Sequence, residues 1–199
     1  MKYLMAFALF FFAVNCRAQF INSIEFKGGL QDTKGAEAKG YNLTLQVKHS
    51  LSRNLDVYAV AGNYWWNQNV VHAIVDNKIY NSFNESDHKM YLFGLGLRRE
   101  MDTVKTVSFF LEMEMGVSYI TYNKYENEIL AFEGYPVYVA AINGREVTEY
   151  TFLTGFGTGI VQHMKGNLAL IVEFKLNAFR LNGEAITNYM IMSGFSFDL

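Results

Sequence analysis

Cysteine and proline are almost absent from this chain, which has one of each among its 199 residues. The single cysteine, Cys16, falls in an N-terminal segment that we expect to be removed, so the mature protein forms no disulfide even in an oxidising compartment. The single proline, Pro136, falls between two predicted strands, as a sheet requires. After the N-terminal segment, no apolar run reaches the about 20 residues of a membrane-spanning helix. These absences exclude a disulfide scaffold and a helical membrane protein.

The chain also lacks an excess of positive charge. Removing Lys2 and Arg17 with the N-terminal segment leaves 15 basic residues against 19 acidic ones. Such a balance gives no electrostatic basis for binding nucleic acid. We therefore expect no nucleic-acid partner.

The N-terminal segment is typical of a secretory signal peptide. Lys2 supplies the positive start, residues 4–14 form an apolar run of secretory length, and Ala18 offers a small residue at the cleavage site. We predict a signal peptide at 1–18 and a single mature domain at 19–199. A lipid anchor on Cys16 is the alternative, but Asn15 occupies the preceding position, where a small residue is required.

The chain is rich in segments that alternate apolar and polar residues. In the clearest, 107–122, Phe109, Leu111 and Met113 alternate with Glu112 and Glu114, which predicts a strand with one oily and one charged face. Eight strands are predicted, at 22–31, 40–49, 55–66, 88–99, 107–122, 148–162, 167–179 and 187–199. The connections after the first, third and fifth strands are long, and those after the second, fourth and sixth are short. This rhythm predicts a transmembrane antiparallel up-and-down β-barrel with short periplasmic turns and longer extracellular loops.

Each of the two longest connections contains a predicted hairpin. One lies at 70–79 and the other at 137–147, where Asn143 and Gly144 give a strong turn signal. A barrel of ten or twelve strands is therefore an alternative. The arms are only about six residues long, whereas a tilted spanning strand needs about 9–11, so we predict eight spanning strands with hairpins that project above the membrane. An extracellular ligand or surface is expected to contact loops 67–87 and 123–147.

The apolar phase of the strands is predicted to face lipid. It carries charge only at Lys89 and Arg99, at the two ends of one strand. It also carries aromatic residues at the end assigned to the cell exterior, as expected of a girdle at the membrane–water boundary. This predicted girdle consists of Tyr41, Trp65, Tyr91, Tyr119, Tyr150 and Tyr189.

The opposite phase is predicted to fill the barrel with charge. An eight-stranded interior is only wide enough for side chains, and buried charges are costly unless they are paired. We predict an interior charge network of Glu25, Lys27, Lys48, Arg98, Glu112, Glu114, Glu173 and Lys175. Inward glycines such as Gly155 and Gly157 would leave room for these side chains. A general acid/base pair among the carboxylates is the functional alternative to a plug of salt bridges.

Other chemical sites are weakly supported. The glycines at 155, 157 and 159 alternate along a strand with no helix after them, which disfavours a phosphate loop. His72, Asp76, Asp87 and His88 could bind a metal but lack tight ligand spacing. A His-x-Ser-Asn motif of the lipid A deacylases is missing from the chain. We therefore predict no catalytic residue, no cofactor and no metal.

The C-terminal strand resembles the signal that the barrel-assembly machinery reads. Gly194, Phe197 and Leu199 fit its spacing, although Leu199 replaces the usual terminal aromatic residue. With the strand count, the mature chain resembles the small eight-stranded outer-membrane barrels of the OmpX/OmpA type and the related barrel domain of Bacteroidota. The resemblance implies the bacterial outer membrane as location, outer-membrane lipid including lipopolysaccharide and the assembly machinery as partners, and a monomer. It implies no catalytic residues.

Three functions follow from these patterns. The first is a non-enzymatic outer-membrane barrel without a large pore, whose loops serve adhesion, surface interaction or envelope integrity. The second is a lipid-modifying barrel enzyme, similar to a lipid A deacylase or acyltransferase. The third is a soluble lipocalin-like lipid carrier, in which the oily face would point inward.

Overall fold

The structure, a computed structural model, describes residues 21–34, 38–67, 70–75, 78–84, 87–104, 106–132, 135–181 and 183–199. The strands are β1 Ser23–Lys34, β2 Ala38–Ser52, β3 Leu55–Asn67, β4 Val70–Val75, β5 Lys78–Asn84, β6 Asp87–Val104, β7 Val107–Phe132, β8 Tyr135–His163, β9 Leu168–Leu181 and β10 Glu184–Asp198. Within these ranges, no helix is long and apolar enough to cross a membrane. The predicted signal peptide at 1–18 lies outside the described residues.

Eight of the strands close into an antiparallel barrel in the order β1-β10-β9-β8-β7-β6-β3-β2. The closing pair, β1 with β10, runs in register from Ser23 opposite Asp198 to Lys34 opposite Thr187. The predicted eight-stranded antiparallel barrel is confirmed. The ten- or twelve-stranded alternative is wrong, because β4 and β5 pair with each other in a separate two-stranded sheet.

The barrel has two different ends. At the turn end, β1 begins, β10 ends, and three short connections join β2 to β3, β6 to β7 and β8 to β9. Gly166 lies in one of these turns with a φ of 84°, a left-handed conformation that glycine adopts without steric cost. At the opposite, hairpin end, β4 and β5 follow β3, and β7 and β8 continue far beyond their neighbours. The prediction of a long connection after the first strand is wrong, because β1 and β2 extend towards each other and leave only residues 35–37 between them.

Only the first of the two predicted hairpins is present in the structure. The structure places a hairpin at the first, where β4 and β5 pair from Val70 opposite Asn84 to Val75 opposite Lys78. The second prediction is wrong, because 137–147 does not fold on itself. It belongs to β8, whose register with β7 continues to Phe132 opposite Tyr135. The expectation that Pro136 falls between strands is wrong for the same reason, because Pro136 is the second residue of β8 and lies opposite Ala131. A register shift after Tyr125 accommodates the extra residues around Asn143 and Gly144, so the turn signal falls inside a long strand.

Alternation along each strand separates a charged interior from an apolar exterior. On β9, Glu173 and Lys175 are each 1% exposed, whereas Val172 and Phe174, on the opposite face, are 57% and 44% exposed. Successive side chains point to opposite faces of a strand, so the same division extends around the wall. A soluble carrier barrel requires the reverse arrangement.

The interior is built in layers along the barrel. A small apolar cluster of Phe110, Val161, Ala169 and Ile171 lies towards the turn end. A larger apolar cluster fills the hairpin end and includes Trp66, Met90, Leu153 and Met190. The charged side chains form a third group, which occupies the lumen.

Candidate functional site: the barrel interior and its two ends

Arg98 on β6 is the centre of the interior charges. Its two terminal nitrogens donate to the carboxylate oxygens of Glu25 at 2.5 and 2.9 Å. Its Nε and Nη2 also donate to Glu112 at 3.1 and 2.8 Å, and Nη2 reaches the amide oxygen of Gln46 at 3.1 Å. The guanidinium carbon lies 4.2 Å from the centre of the Phe110 ring, a cation–π distance. Arg98 thus connects its own strand, β6, with β1, β2 and β7.

Three lysines complete the network. Lys175 Nζ donates to Glu114 at 2.5 Å and to Glu112 at 3.0 Å. Lys27 donates to Glu173, and Lys48 Nζ lies 2.7 Å from Glu25. The structure therefore brings together all eight charged residues predicted from the sequence. Four are carboxylates and four are cations, so the charges of these eight residues balance. Glu100, which the sequence analysis missed, joins them at 3.6 Å from Lys48 Nζ and 4.0 Å from Arg98 Nη1.

Glycines on β8 give this network its space. A Cβ on Gly157 would fall 2.7 Å from Glu112 Cγ and 2.9 Å from a Glu173 oxygen. A Cβ on Gly155 would fall 2.6 Å from Glu114 Cγ. These distances are shorter than those that real Cβ atoms show, so a larger residue at either position would displace the glutamates packed against it.

The arrangement stabilises a closed lumen and offers no access for a reactant. Glu112, Glu173 and Lys175 are each 1% exposed, and Arg98 and Glu25 are fully buried. General acid/base catalysis requires a group within hydrogen-bond reach of a substrate proton. Burial of every carboxylate in an ion pair therefore favours the plug of salt bridges over the acid/base alternative.

An aromatic stack lies inside the barrel at its hairpin end, on the adjacent strands β3, β6 and β7. The His88 ring lies between Trp66 and Tyr122, with centroid distances of 5.2 and 4.9 Å and interplanar angles of 14° and 9°. The Tyr122 hydroxyl donates to Glu149 at 2.7 Å. The alternation of the sequence predicts inward positions for these residues, but it gives no signal for the stacking.

The four candidate metal ligands are not brought together by any described contact. His88 lies in the aromatic stack, Asp76 lies outside the described residues, and the side chains of His72 and Asp87 do as well. Among the side chains that are described, no group of three or more His, Cys, Asp or Glu could hold a metal ion.

The predicted girdle residues lie on the outer wall towards the hairpin end, some in contact across strands. Tyr41 and Trp65 are register partners with ring centroids 5.3 Å apart. Tyr119 lies 6.1 Å from Tyr91 and 5.3 Å from Tyr150 by the same measure. Tyr189 lies on β10, next to strand β1. Their role at a membrane boundary stays a prediction.

The three residues of the predicted assembly signal lie at the closing seam. A Cβ on Gly194 would fall 1.9 Å from the Phe26 carbonyl oxygen, so glycine allows β1 and β10 to approach. Phe197 and Leu199 are 45% and 68% exposed, and the Leu199 amide donates to the Asn22 carbonyl oxygen at 2.9 Å. Recognition of these residues during assembly stays a prediction.

The structure also contains a serine–histidine contact that the sequence analysis missed. Ser108 Oγ and His163 Nε2 lie 3.2 Å apart at the turn end. The two residues are 55 positions apart and share no motif. Only the β7–β8 register, which places Val107 opposite Gln162, could have paired them.

The comparisons with known proteins agree with this architecture. No protein-family model matches the sequence, and no curated protein matches it either. Among solved structures, the chain is similar to Neisserial surface protein A, with a TM-score of 0.63 and 13% identity over 89% of this chain and 96% of that one. It is also similar to a major outer membrane protein from Thermus thermophilus, with a TM-score of 0.54 and 8% identity over 89% and 99%.

A third similar structure is Ail, the attachment invasion locus protein of Yersinia pestis, in complex with the heparin analogue sucrose octasulfate. Its TM-score is 0.50, with 13% identity over 89% of this chain and 99% of that one. The fold of this chain is therefore that of the small eight-stranded outer-membrane barrels. In this chain, an ion-pair network fills the lumen of that fold.

Proposed function

We propose that this protein is an integral protein of the bacterial outer membrane that spans the bilayer with its eight barrel strands. The observation that carries the proposal is the exposed apolar wall around a charged interior. Leu30, Phe93 and Met113 are 74%, 63% and 65% exposed, whereas the eight charged residues of the lumen network are buried. Soluble proteins rarely expose large contiguous apolar surfaces, and an outer-membrane barrel requires them.

The proposed role is contact with an extracellular ligand or surface, for adhesion or envelope integrity, with no catalysis and no large pore. The hairpin end carries the β4–β5 sheet and the extension of β7 and β8, and long excursions of this kind face the exterior in outer-membrane barrels. The names of two similar proteins, a surface protein and an attachment invasion locus protein, support this role without identifying a ligand.

A lipid-modifying enzyme is the second candidate, and the Ser108–His163 contact is the observation that favours it. A histidine within hydrogen-bond reach can activate a serine as a nucleophile. The contact lies at the turn end, which faces the periplasm in the proposed orientation. Lipid A from cells with the wild-type protein and with Ser108→Ala is expected to give the same mass spectrum. A mass difference of one acyl chain would support the enzyme instead.

The proposals for biogenesis and partners rest on the sequence patterns and on the resemblance to small outer-membrane barrels. The signal at 1–18 would direct export, and Gly194, Phe197 and Leu199 would engage the barrel-assembly machinery. The mature protein would then be a monomer surrounded by outer-membrane lipid, including lipopolysaccharide.

Envelope fractionation with gel electrophoresis tests the proposal. The protein is expected in the outer-membrane fraction, and its electrophoretic mobility is expected to change on boiling, because a closed barrel resists unfolding by detergent until it is heated. A known periplasmic protein serves as the fractionation control. Recovery in the soluble periplasmic fraction, without a heat-dependent shift, would overturn the proposal.

A further inference from the structure

Three tyrosines form a row across the outer wall, on β6, β7 and β8. Tyr91 is the register partner of Tyr119, and Tyr119 is the register partner of Tyr150. Tyr119 therefore has a phenol ring on each side, with centroid distances of 6.1 Å to Tyr91 and 5.3 Å to Tyr150. Opposite residues of an antiparallel pair hold their Cβ atoms about 4.5–5.5 Å apart, so the ladder itself keeps these rings together.

The rings of this row are accessible from outside the barrel. Tyr150 is 78% exposed and Tyr91 is 38% exposed, and Tyr119 between them is half-buried. The inward tyrosines differ, since Tyr58 and Tyr64 are 1% and 0% exposed. A reagent outside the lumen can therefore reach the row but not these interior phenols.

The row lies at the base of the β7–β8 extension. The ladder between β8 and β9 begins only at Thr154, so at Tyr150 the described partner of β8 is β7. The Arg180 amide of β9 donates instead to the side chain of Thr151, at 3.2 Å. A covalent bond between Tyr119 and Tyr150 would therefore reinforce the wall where the extension leaves the barrel.

The predicted mature chain cannot make such a bond with cysteine. Cross-links of this kind stabilise a fold mainly by restricting the unfolded chain. The single cysteine of the sequence, Cys16, falls in the predicted signal peptide, which rules out an internal disulfide in the mature protein. Two neighbouring phenols are the chemical alternative, because one-electron oxidation couples them directly.

We propose that Tyr119 and Tyr150 are a modification site, at which a one-electron oxidant joins β7 to β8 through a dityrosine bond. The oxidant is hydrogen peroxide acting with a peroxidase. Tyr150 is the preferred partner of Tyr119, because it is closer and more exposed than Tyr91. The inference deepens the proposed function and rests on it, because the hairpin end must face the exterior for an oxidant there to reach the row.

The reaction consumes one peroxide for each cross-link. Each phenol loses one electron and one proton and becomes a phenoxyl radical, whose unpaired electron is shared with the ring carbons next to the C–O bond. A bond forms between one such carbon of each ring, and the hydrogens of these two carbons move to the phenolic oxygens, which restores both hydroxyls. The O–O bond of the peroxide breaks as it takes up the two electrons and two protons, and two water molecules form.

The geometry of the pair suits this coupling. The rings of Tyr119 and Tyr150 meet edge to face, with an interplanar angle of 65°, so the reactive edge of one ring already contacts the other. Rotation of one ring about its Cα–Cβ and Cβ–Cγ bonds brings two edges together. No movement of the backbone is required.

Peptide mapping of the oxidised full-length mature barrel tests this site. The folded protein in detergent micelles is treated with a peroxidase and hydrogen peroxide, digested, and analysed by mass spectrometry. The main cross-linked product is expected to join the peptides of Tyr119 and Tyr150, with a mass two hydrogens below their sum. Treatment in denaturing urea is the control, because unfolding removes the register, and this pair is then expected to lose its dominance.

Two tyrosine substitutions provide a matched comparison. Tyr119→Phe keeps the ring and removes the hydroxyl, and it is expected to abolish the β7–β8 cross-link and most of the dityrosine fluorescence. Tyr41→Phe is expected to leave both unchanged, because Tyr41 is 60% exposed but its ring neighbour is Trp65. Equal yields from wild type and Tyr119→Phe, or a different dominant pair in the folded protein, would overturn the inference.

The two proposals fail separately. A protein that is absent from the outer membrane and shows no heat-dependent gel shift contradicts the proposed function. Cross-linking in micelles requires only the folded barrel, so a heat-modifiable outer-membrane protein that forms no Tyr119–Tyr150 bond contradicts the modification site alone.

Discussion

At the scale of single residues, the interior charges are notable for their balance. Burying an ion costs several kcal/mol, and attraction offsets this only when geometry is good and the remaining hydrogen bonds are satisfied. Arg98 meets both conditions, because it makes a two-point contact with Glu25 and further bonds with Glu112 and Gln46. Removing one member leaves its partners buried with an uncompensated charge. A single substitution is therefore expected to lower the free energy of unfolding by more than the ion pair itself contributes.

Replacing Arg98 with methionine tests whether the loss of one buried charge costs more stability than its ion pairs contribute in total. Arg98→Met removes a buried cation from between two carboxylates and is expected to lower the free energy of unfolding by about 3–5 kcal/mol. The measurement is urea unfolding in lipid vesicles, followed by tryptophan fluorescence. Arg99→Met is the control, because Arg99 is the neighbouring position on the exposed face. Equal, small effects of the two substitutions would contradict the central position of Arg98 in the interior charge network.

Replacing Val172 with arginine tests which face meets lipid. Val172 is 57% exposed near the middle of β9, and Val172→Arg is expected to cost about 2–4 kcal/mol if that position lies at the bilayer midplane. Thr187→Arg, beyond Tyr189 at the hairpin end of β10, is expected to cost about 0–1 kcal/mol. Urea unfolding in lipid vesicles compares the two variants with the wild type. A neutral Val172→Arg would mean that this wall does not face lipid.

At the scale of elements, alternation predicted the barrel strands well because one face is apolar and the other charged along each of them. The predicted strand at 55–66 and the observed β3, Leu55–Asn67, nearly coincide. The prediction failed at 137–147 because a local turn signal competes with long-range pairing. Asn143 and Gly144 favour a turn, but the ladder between β7 and β8 continues past them after a register shift. Register depends on the partner strand, which a local pattern does not contain.

The same reason limits what the sequence could predict about the sites. Alternation identified the eight interior charges, because every second residue of a strand points inward. It could not pair Ser108 with His163, because that contact joins residues from different strands. Gly157 illustrates the difference: the sequence indicates a small inward residue, and only the register places Glu112 against it.

Shortening the β7–β8 extension tests whether this element is separable from the barrel. β6 pairs with β7 only up to Thr121, and β9 pairs with β8 only from Thr154, so residues 124–145 contribute no ladder to the barrel wall. Replacing 124–145 with a short Asn-Gly turn is expected to preserve outer-membrane insertion and the heat-dependent gel shift, while reducing binding of cells to surfaces. Loss of the folded barrel would show that the extension is needed for folding.

At the scale of the whole molecule, the interior is blocked in more than one layer. The aromatic stack of Trp66, His88 and Tyr122 lies towards the hairpin end, the charge network fills the lumen, and Phe110 lies towards the turn end. These layers use different interactions, so weakening one leaves the others in place. Side chains therefore fill the interior at several levels between its two ends.

This layered interior leads to a prediction about conductance. An eight-stranded barrel is just wide enough for its side chains, and here Arg98 and Glu25 are fully buried within it. Planar-bilayer recordings of the purified protein are expected to show at most small, irregular currents. Arg98→Met is expected to leave this unchanged, because the apolar cluster that includes Trp66 and Tyr122 still fills the hairpin end. A steady, large single-channel current from folded wild-type protein would contradict a filled lumen, and with it the proposal that the protein acts through its surface elements.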